Sequence, residues 1–165
     1  AARDHTGCAA VRAGDLVKIL LACSSGGHLT QALALRPWWG EHERCWATFP
    51  VEDARSRLAD ERVFEIHYPT VRNLPNLARN FALARRVLAQ ERPDVVFSTG
   101  AAIALPFFAQ ARMFGARTVY LEPVDRITSP GLSGRLVYPF ADEFLVQWEQ
   151  LRRFYPGSRN VGVVL

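Results

Sequence analysis

The chain of 165 residues has no apolar run near the roughly 20 residues that a membrane helix needs. Its most apolar stretch, from Ala101 to Phe108, is short and contains Pro106. Cysteine is scarce: Cys8, Cys23 and Cys45 are odd in number and lack the C-x-x-C spacing. Neither a disulfide framework nor a metal site is therefore expected. Cys23 and Cys45 stand in apolar runs and read as buried thiols of a reducing compartment. Neither G-x-G-x-x-G nor G-x-x-x-x-G-K-[ST] occurs, which disfavours simple NAD or ATP binding. There is no recognised nucleic-acid reader motif and no extended basic stripe, so nucleic acid is not an expected partner. The 11 glycines and 10 prolines are spread along the chain, leaving no low-complexity segment.

What remains is an ordinary folded composition, 49% hydrophobic and 22% charged. The length suits one doubly wound domain and falls short of a complete two-domain enzyme. The formal charge of +4 is unevenly placed. Between Arg72 and Arg92 five arginines meet a single acid, Glu91, so this segment carries the whole excess.

Residues 1–16 hold no continuous apolar stretch, do not read as a signal peptide, and are expected to be a flexible leader before a single domain, 17–165. Leu16–Cys23 reads as a strand buried on both faces. A glycine turn and a helix over Leu29–Leu35 follow. Strands are predicted over Arg44–Phe49, Arg62–Tyr68, Asp94–Phe97, Arg117–Glu122, Glu143–Gln147 and Val161–Leu165. Helices are predicted over Val51–Ala59, Asn73–Gln90, Ala101–Phe114, Gly131–Tyr138 and Glu149–Tyr155. Alternation of this kind means an α/β fold: a Rossmann-like parallel sheet with helices on both faces and right-handed crossovers.

In such a sheet, ligands bind beyond the carboxyl ends of the strands. Three loops of small residues fall there. Ser24, Ser25, Gly26 and Gly27 precede His28; Ser98, Thr99 and Gly100 precede Ala101; Ser129, Gly131 and Ser133 surround the start of a later helix. Each leads into a helix N-terminus, where free N–H groups and the helix dipole favour anions. Together they suggest a phosphate or diphosphate site. His28, at the head of a helix, is a candidate base or phosphate ligand in its neutral form. Glu122 closes a strand on the same rim, with Asp125 and Arg126 beyond it, and is a candidate general base. The helix Asn73–Gln90 carries an apolar line, Leu77, Phe81, Ala84 and Leu88, flanked by Arg79, Arg85 and Arg86. That pattern fits a core-facing helix with a basic edge, and equally a helix that touches an anionic membrane.

Several segments, in order and at familiar spacing, resemble the Alg-fourteen family. They are Ser24-Ser-Gly-Gly-His28-Leu, Pro93-Asp-Val-Val-Phe-Ser-Thr-Gly100, Tyr120-Leu-Glu122, Ser129-Pro-Gly-Leu-Ser-Gly-Arg-Leu136, Ala141-Asp142 and Val146-Gln-Trp148. The Gly-Gly-His segment also resembles the N-terminal half of MurG-type glycosyltransferases, the wider superfamily. The resemblance implies the N-terminal half of a GT-B fold, acting as the acceptor-side, membrane-recruiting subunit of a two-chain UDP-sugar transferase. It implies an Alg-thirteen-like partner chain that holds most of the UDP-sugar, and a lipid diphosphate-linked acceptor. The setting is the cytoplasmic face of the membrane, in oligosaccharide, capsule or exopolysaccharide synthesis, and no cofactor is implied. Glu122 is then favoured as base, with His28 as a phosphate or hydroxyl ligand. Ser25, Gly26, Gly27, Ser98, Thr99, Gly100, Arg126, Ser129, Gly131 and Ser133 are the expected acceptor-binding residues. Arg79, Phe81, Arg85 and Arg86 are the expected membrane contacts. Trp148, Phe154, Tyr155 and Leu165 are expected to anchor the partner. The membrane helix frequent at the family's N-terminus has no counterpart in these residues, and Pro123 follows Glu122 where a small hydroxyl residue is usual. Two rival readings are a non-catalytic scaffold and a stand-alone nucleotide-sugar-binding protein.

Overall fold

The structure, a computed structural model, describes residues 16–70 and 73–164. The leader before Leu16, Arg72 and Leu165 lie outside the described residues. Seven parallel strands form one sheet in the order β3-β2-β1-β4-β5-β6-β7. They are β1 (Lys18–Cys23), β2 (Glu43–Thr48), β3 (Val63–Glu65), β4 (Val95–Gly100), β5 (Arg117–Leu121), β6 (Glu143–Val146) and β7 (Arg159–Asn160). The strand order reverses between β1 and β4, where a crevice opens at the carboxyl edge.

Period-two burial explains why the central strands read as continuous apolar runs. In β1, Leu20 and Ala22 point to one face, and Ile19, Leu21 and Cys23 to the other. The first face is covered by α4 (Leu74–Glu91), α5 (Ala104–Ala111) and α6 (Leu132–Val137). The second is covered by α1 (Gly27–Ala34), α2 (Arg36–Trp39) and α3 (Glu52–Arg57). The expected sheet with helices on both faces is thus the observed one.

Helix ends follow their chemistry. The Asn73 side chain accepts from the amide of Asn76 at 3.0 Å and starts α4. Arg92, at φ 43°, closes α4 in the left-handed region just before Pro93. The apolar line of α4 turns inward: Ala84 and Leu88 are fully buried, and Leu77 and Phe81 are half-buried.

Several elements differ from expectation. The helix α2 has no counterpart among the predicted ones, and β3 keeps only Val63–Glu65 of the predicted Arg62–Tyr68. Ser98–Gly100 is the end of β4 rather than a turn. A register shift places one more residue on β4 than on β1 between the pairs Leu21–Phe97 and Cys23–Gly100, and this bulge bends the strand at the crevice. The helix predicted from Ala101 begins only at Ala104, because Ala101 sits at φ 70°. It passes into a 3-10 turn over Arg112–Phe114. The last strand is Arg159–Asn160, not Val161–Leu165, and the intervening Glu149–Arg153 is 3-10 rather than α-helical.

Candidate functional site

His28 is the second residue of α1, and its ring lies against the end of β4. Its Nδ1 is 2.9 Å from the carbonyl oxygen of Thr99. A carbonyl only accepts, so Nδ1 must carry the hydrogen, and the neutral ring presents a bare Nε2 lone pair. The Thr99 hydroxyl returns the contact, donating to the His28 carbonyl at 2.8 Å. Gly100 makes room for the ring. At φ +124° a Cβ there would lie 2.9 Å from His28 Cε1 and 3.1 Å from Pro123 Cγ.

His28 faces a cleft of about 680 Å³ between α4, α5 and α6. Most of the lining is apolar, including Phe49, Leu77, Leu105, Tyr120, Leu136 and Val137. Ser24, Thr70, Arg126 and Ser133 add polar groups to the lining. The cleft can therefore take a ligand with an apolar body and a few polar or anionic groups near the imidazole.

Glu122, expected as an open base, is fully buried. Its Oε1 accepts from the Gly131 amide at 2.7 Å and from the Tyr155 hydroxyl at 3.3 Å. Oε2 is buried with no partner among the described residues. Burial pushes this carboxyl above its ordinary range, against the lowering pull of the Gly131 amide, the Tyr155 hydroxyl and Arg126. Gly134 is glycine for the same reason that Gly100 is: a Cβ there would collide with the Glu122 carboxylate and the Tyr155 hydroxyl. Glu122 thus supports the cleft wall from behind and does not face the cleft.

The three small-residue segments differ in what they offer the cleft. Gly26 and Gly27 have open space where a Cβ would go. The Gly26 amide donates to Asp53 Oδ2 at 3.2 Å, an acid that carried no sequence signal because it lies on a different helix. Ser25 sits beside them, half-buried and outside the cleft lining. Ser98 and Thr99 are completely buried, so they do not offer ligands to the cleft; the Ser98 hydroxyl accepts from the Gly100 amide at 3.0 Å. In the third loop the Gly131 amide is spent on Glu122, Ser129 is exposed away from the cleft, and Ser133 and Arg126 line it.

Tyr155, expected at a partner surface, is buried, because its ring packs on Phe144 and its hydroxyl reaches Glu122. Trp148 is half-buried and its Nε1 donates to the Val124 carbonyl at 2.7 Å. Phe154 remains exposed, with Arg153 stacked over its ring. Arg79, Arg85 and Arg86 are exposed on the outer face of α4, whereas Phe81 is half-buried. No helix among the described residues is long and apolar enough to cross a membrane. A second, apolar groove of about 450 Å³ lies on the opposite face of the sheet, lined by Trp38, Val119, Leu145, Val161 and Val164.

Residues 52–164, more than half of the chain, match the family described as "Oligosaccharide biosynthesis protein Alg14 like". The chain is 33% identical over 97 residues to the UDP-N-acetylglucosamine transferase subunit ALG14 of Yarrowia lipolytica, covering 53% of this chain and 44% of that one. It is 22% identical over 166 residues to the UDP-N-acetylglucosamine--N-acetylmuramyl-(pentapeptide) pyrophosphoryl-undecaprenol N-acetylglucosamine transferase of Caldicellulosiruptor saccharolyticus, covering 92% of this chain and 44% of that one. The chain thus spans less than half the length of these relatives. Among solved structures it resembles Acinetobacter baumannii MurG, with a TM-score of 0.72 at 20% identity over 88% of this chain and 45% of that one. A UDP-N-acetylglucosamine 2-epimerase from Rickettsia bellii follows, with a TM-score of 0.65 at 12% identity over 86% and 41%. At these identities the likeness is one of fold.

Proposed function

Because the chain belongs to the Alg14-like family of oligosaccharide biosynthesis proteins, we propose that it is the acceptor-side subunit of a two-chain glycosyltransferase. The pair moves N-acetylglucosamine or a similar sugar from a UDP-sugar to a lipid diphosphate-linked acceptor. The observation that carries this reading is His28, which lines a largely apolar cleft and whose Nδ1 is engaged by the Thr99 carbonyl, leaving Nε2 as the ring nitrogen for a substrate.

The acceptor's hydroxyl is presented to His28 Nε2, which takes its proton as the oxygen bonds to the anomeric carbon of the sugar. The bond from that carbon to UDP breaks, and UDP leaves with the electron pair. An Alg-thirteen-like partner holds the UDP-sugar across the cleft and stabilises the charge that develops on UDP. Arg126, exposed at the cleft wall, pairs with the acceptor diphosphate. The base role passes from Glu122 to His28, since Glu122 has no surface to offer a substrate.

Membrane contact is proposed at the cleft mouth and the outer face of α4. Tyr68, Leu74, Leu132 and Leu136 are exposed apolar residues there, and Arg79, Arg85 and Arg86 supply positive charge for an anionic leaflet. The partner docks on the apolar groove that contains Val161 and Val164.

Reconstitution with the partner chain tests the proposal. The pair should transfer sugar to a lipid diphosphate acceptor, and His28→Ala should lower kcat about 10²- to 10⁴-fold. Calorimetry should find weak UDP-sugar binding to the isolated chain and tight binding to the pair. Tight binding by the isolated chain would favour the stand-alone reading. Silent cleft substitutions, with Leu145→Asp alone damaging activity, would favour the scaffold.

A further inference from the structure

The cleft wall formed by the loop Pro123–Pro130 is mostly exposed, from Asp125 to Ser129, and buries little of its own. Inside the loop, one backbone hydrogen bond runs from the Arg126 amide to the Pro123 carbonyl at 3.0 Å. Among the described residues, its hydrogen bonds to other elements come from one place, the segment after β6. The Trp148 Nε1 donates to the Val124 carbonyl at 2.7 Å, and Arg153 Nη2 donates to the Thr128 carbonyl at 3.0 Å. Both ends of the loop are tied to the same segment. At the start, Gln147 Nε2 donates to the Glu122 carbonyl at 2.9 Å. At the finish, the Gly131 amide meets the Glu122 carboxylate, which also receives the Tyr155 hydroxyl.

We infer that Gln147–Tyr155 is a clamp that sets the acceptor loop, with Glu122 as its hub and Trp148 and Tyr155 as positioning residues. This rests on the acceptor-side reading above and adds residues that act on the acceptor through Arg126 and Ser133, without touching it. A loop with so little buried surface keeps its shape only through such ties, so losing one loosens the wall locally and leaves the sheet intact. The clamp also reaches the chain's final described residues, because the Val164 amide donates to Gln147 Oε1 at 2.8 Å. The element that sets the acceptor loop is therefore joined to the groove assigned above to the partner.

The test uses Trp148→Phe, Tyr155→Phe and Glu122→Gln, with Arg153→Ala as a surface variant that removes one tie without disturbing the core. In the full isolated chain, hydrogen exchange should speed up in residues 124–131 and stay unchanged in β1 and β4. In the reconstituted enzyme, the acceptor KM should rise about threefold to tenfold for each variant, the effect of one ordinary hydrogen bond. The pH dependence of kcat should keep its parental form. Parental loop exchange in Arg153→Ala and Trp148→Phe overturns the clamp, whatever the enzyme does. Faster loop exchange with no transferase activity in any form sinks the acceptor-side reading while the clamp stands. Loss of the acidic limb of the kcat profile in Glu122→Gln would make Glu122 a reacting group and overturn its role as hub.

Discussion

Gly100, at the end of β4, and Gly27, at the start of α1, both follow small residues, yet their backbones do different work. Gly100 holds φ +124° against the His28 ring and Pro123, while Gly27 has nothing within 4 Å of where a Cβ would sit. Gly100→Ala should therefore destabilise by about 1–3 kcal/mol and displace His28. Gly27→Ala, at the start of α1, should be neutral or stabilise by up to about 1 kcal/mol. Urea unfolding of the two variants checks this, and equal effects would refute it. Glu122 gives a second prediction. Its carboxyl is raised from an ordinary 4.5, mainly by burial. The folded chain thus holds this proton more tightly than the unfolded chain. Its contribution is full below pH 4.5 and is lost as pH rises through the folded value. Glu122→Gln should then gain stability relative to the parent as pH climbs above 4.5. A parent that gains on the variant over that range would contradict the burial argument.

At the scale of elements, β5 and β6 are joined at their entry by Asp142. Its Oδ2 accepts from the Thr118 amide at 2.8 Å and hydroxyl at 3.0 Å, and its Oδ1 pairs with Arg112 at 2.7 Å. Burial opposes ionisation, but the Thr118 amide, Arg112 and the Thr118 hydroxyl outweigh it and hold the carboxyl below its ordinary 3.8. The stabilisation is present above pH 3.8 and disappears as pH falls through the lower folded value. Asp142→Asn should cost about 1–2 kcal/mol at neutral pH, and the cost should shrink in acid. Chemical denaturation at both pH values measures it. α4 shows why the sequence left two readings open there. Its inner line packs on α5 while Arg79, Arg85 and Arg86 face out, so one helix satisfies both the core and the basic edge.

For the molecule as a whole, two apolar layers enclose one sheet, and Cys23 and Cys45 lie one in each. Burial pushes both thiols up to about 12. In the native protein both should resist a thiol reagent at mild alkaline pH and label only as fast as the chain unfolds. Mass spectrometry of labelled peptides reads this directly, and rapid native labelling of either site would show that its layer opens.

Fold class and the alternation of strands and helices were legible in the residues because they depend on local regularities, whereas the strand order was not. Alternating apolar runs and helical stripes require burial on both faces of a parallel sheet, and small residues at strand ends mark the carboxyl rim of that sheet. Those same regularities placed His28 correctly at the head of α1. They could not separate an open glycine from one that clears space for a side chain, since the neighbours of Gly100 and Gly134 come from distant segments. Nor could they show that Glu122 turns inward, that Tyr155 is core, or that Asp53 meets the Gly26 amide. The amino-acid order determined the two layers and placed the cleft at the carboxyl edge of the sheet. Only the packed chain decided which side chains face the cleft, because exposure and hydrogen-bond partnership arise when segments far apart in sequence compete for the same space.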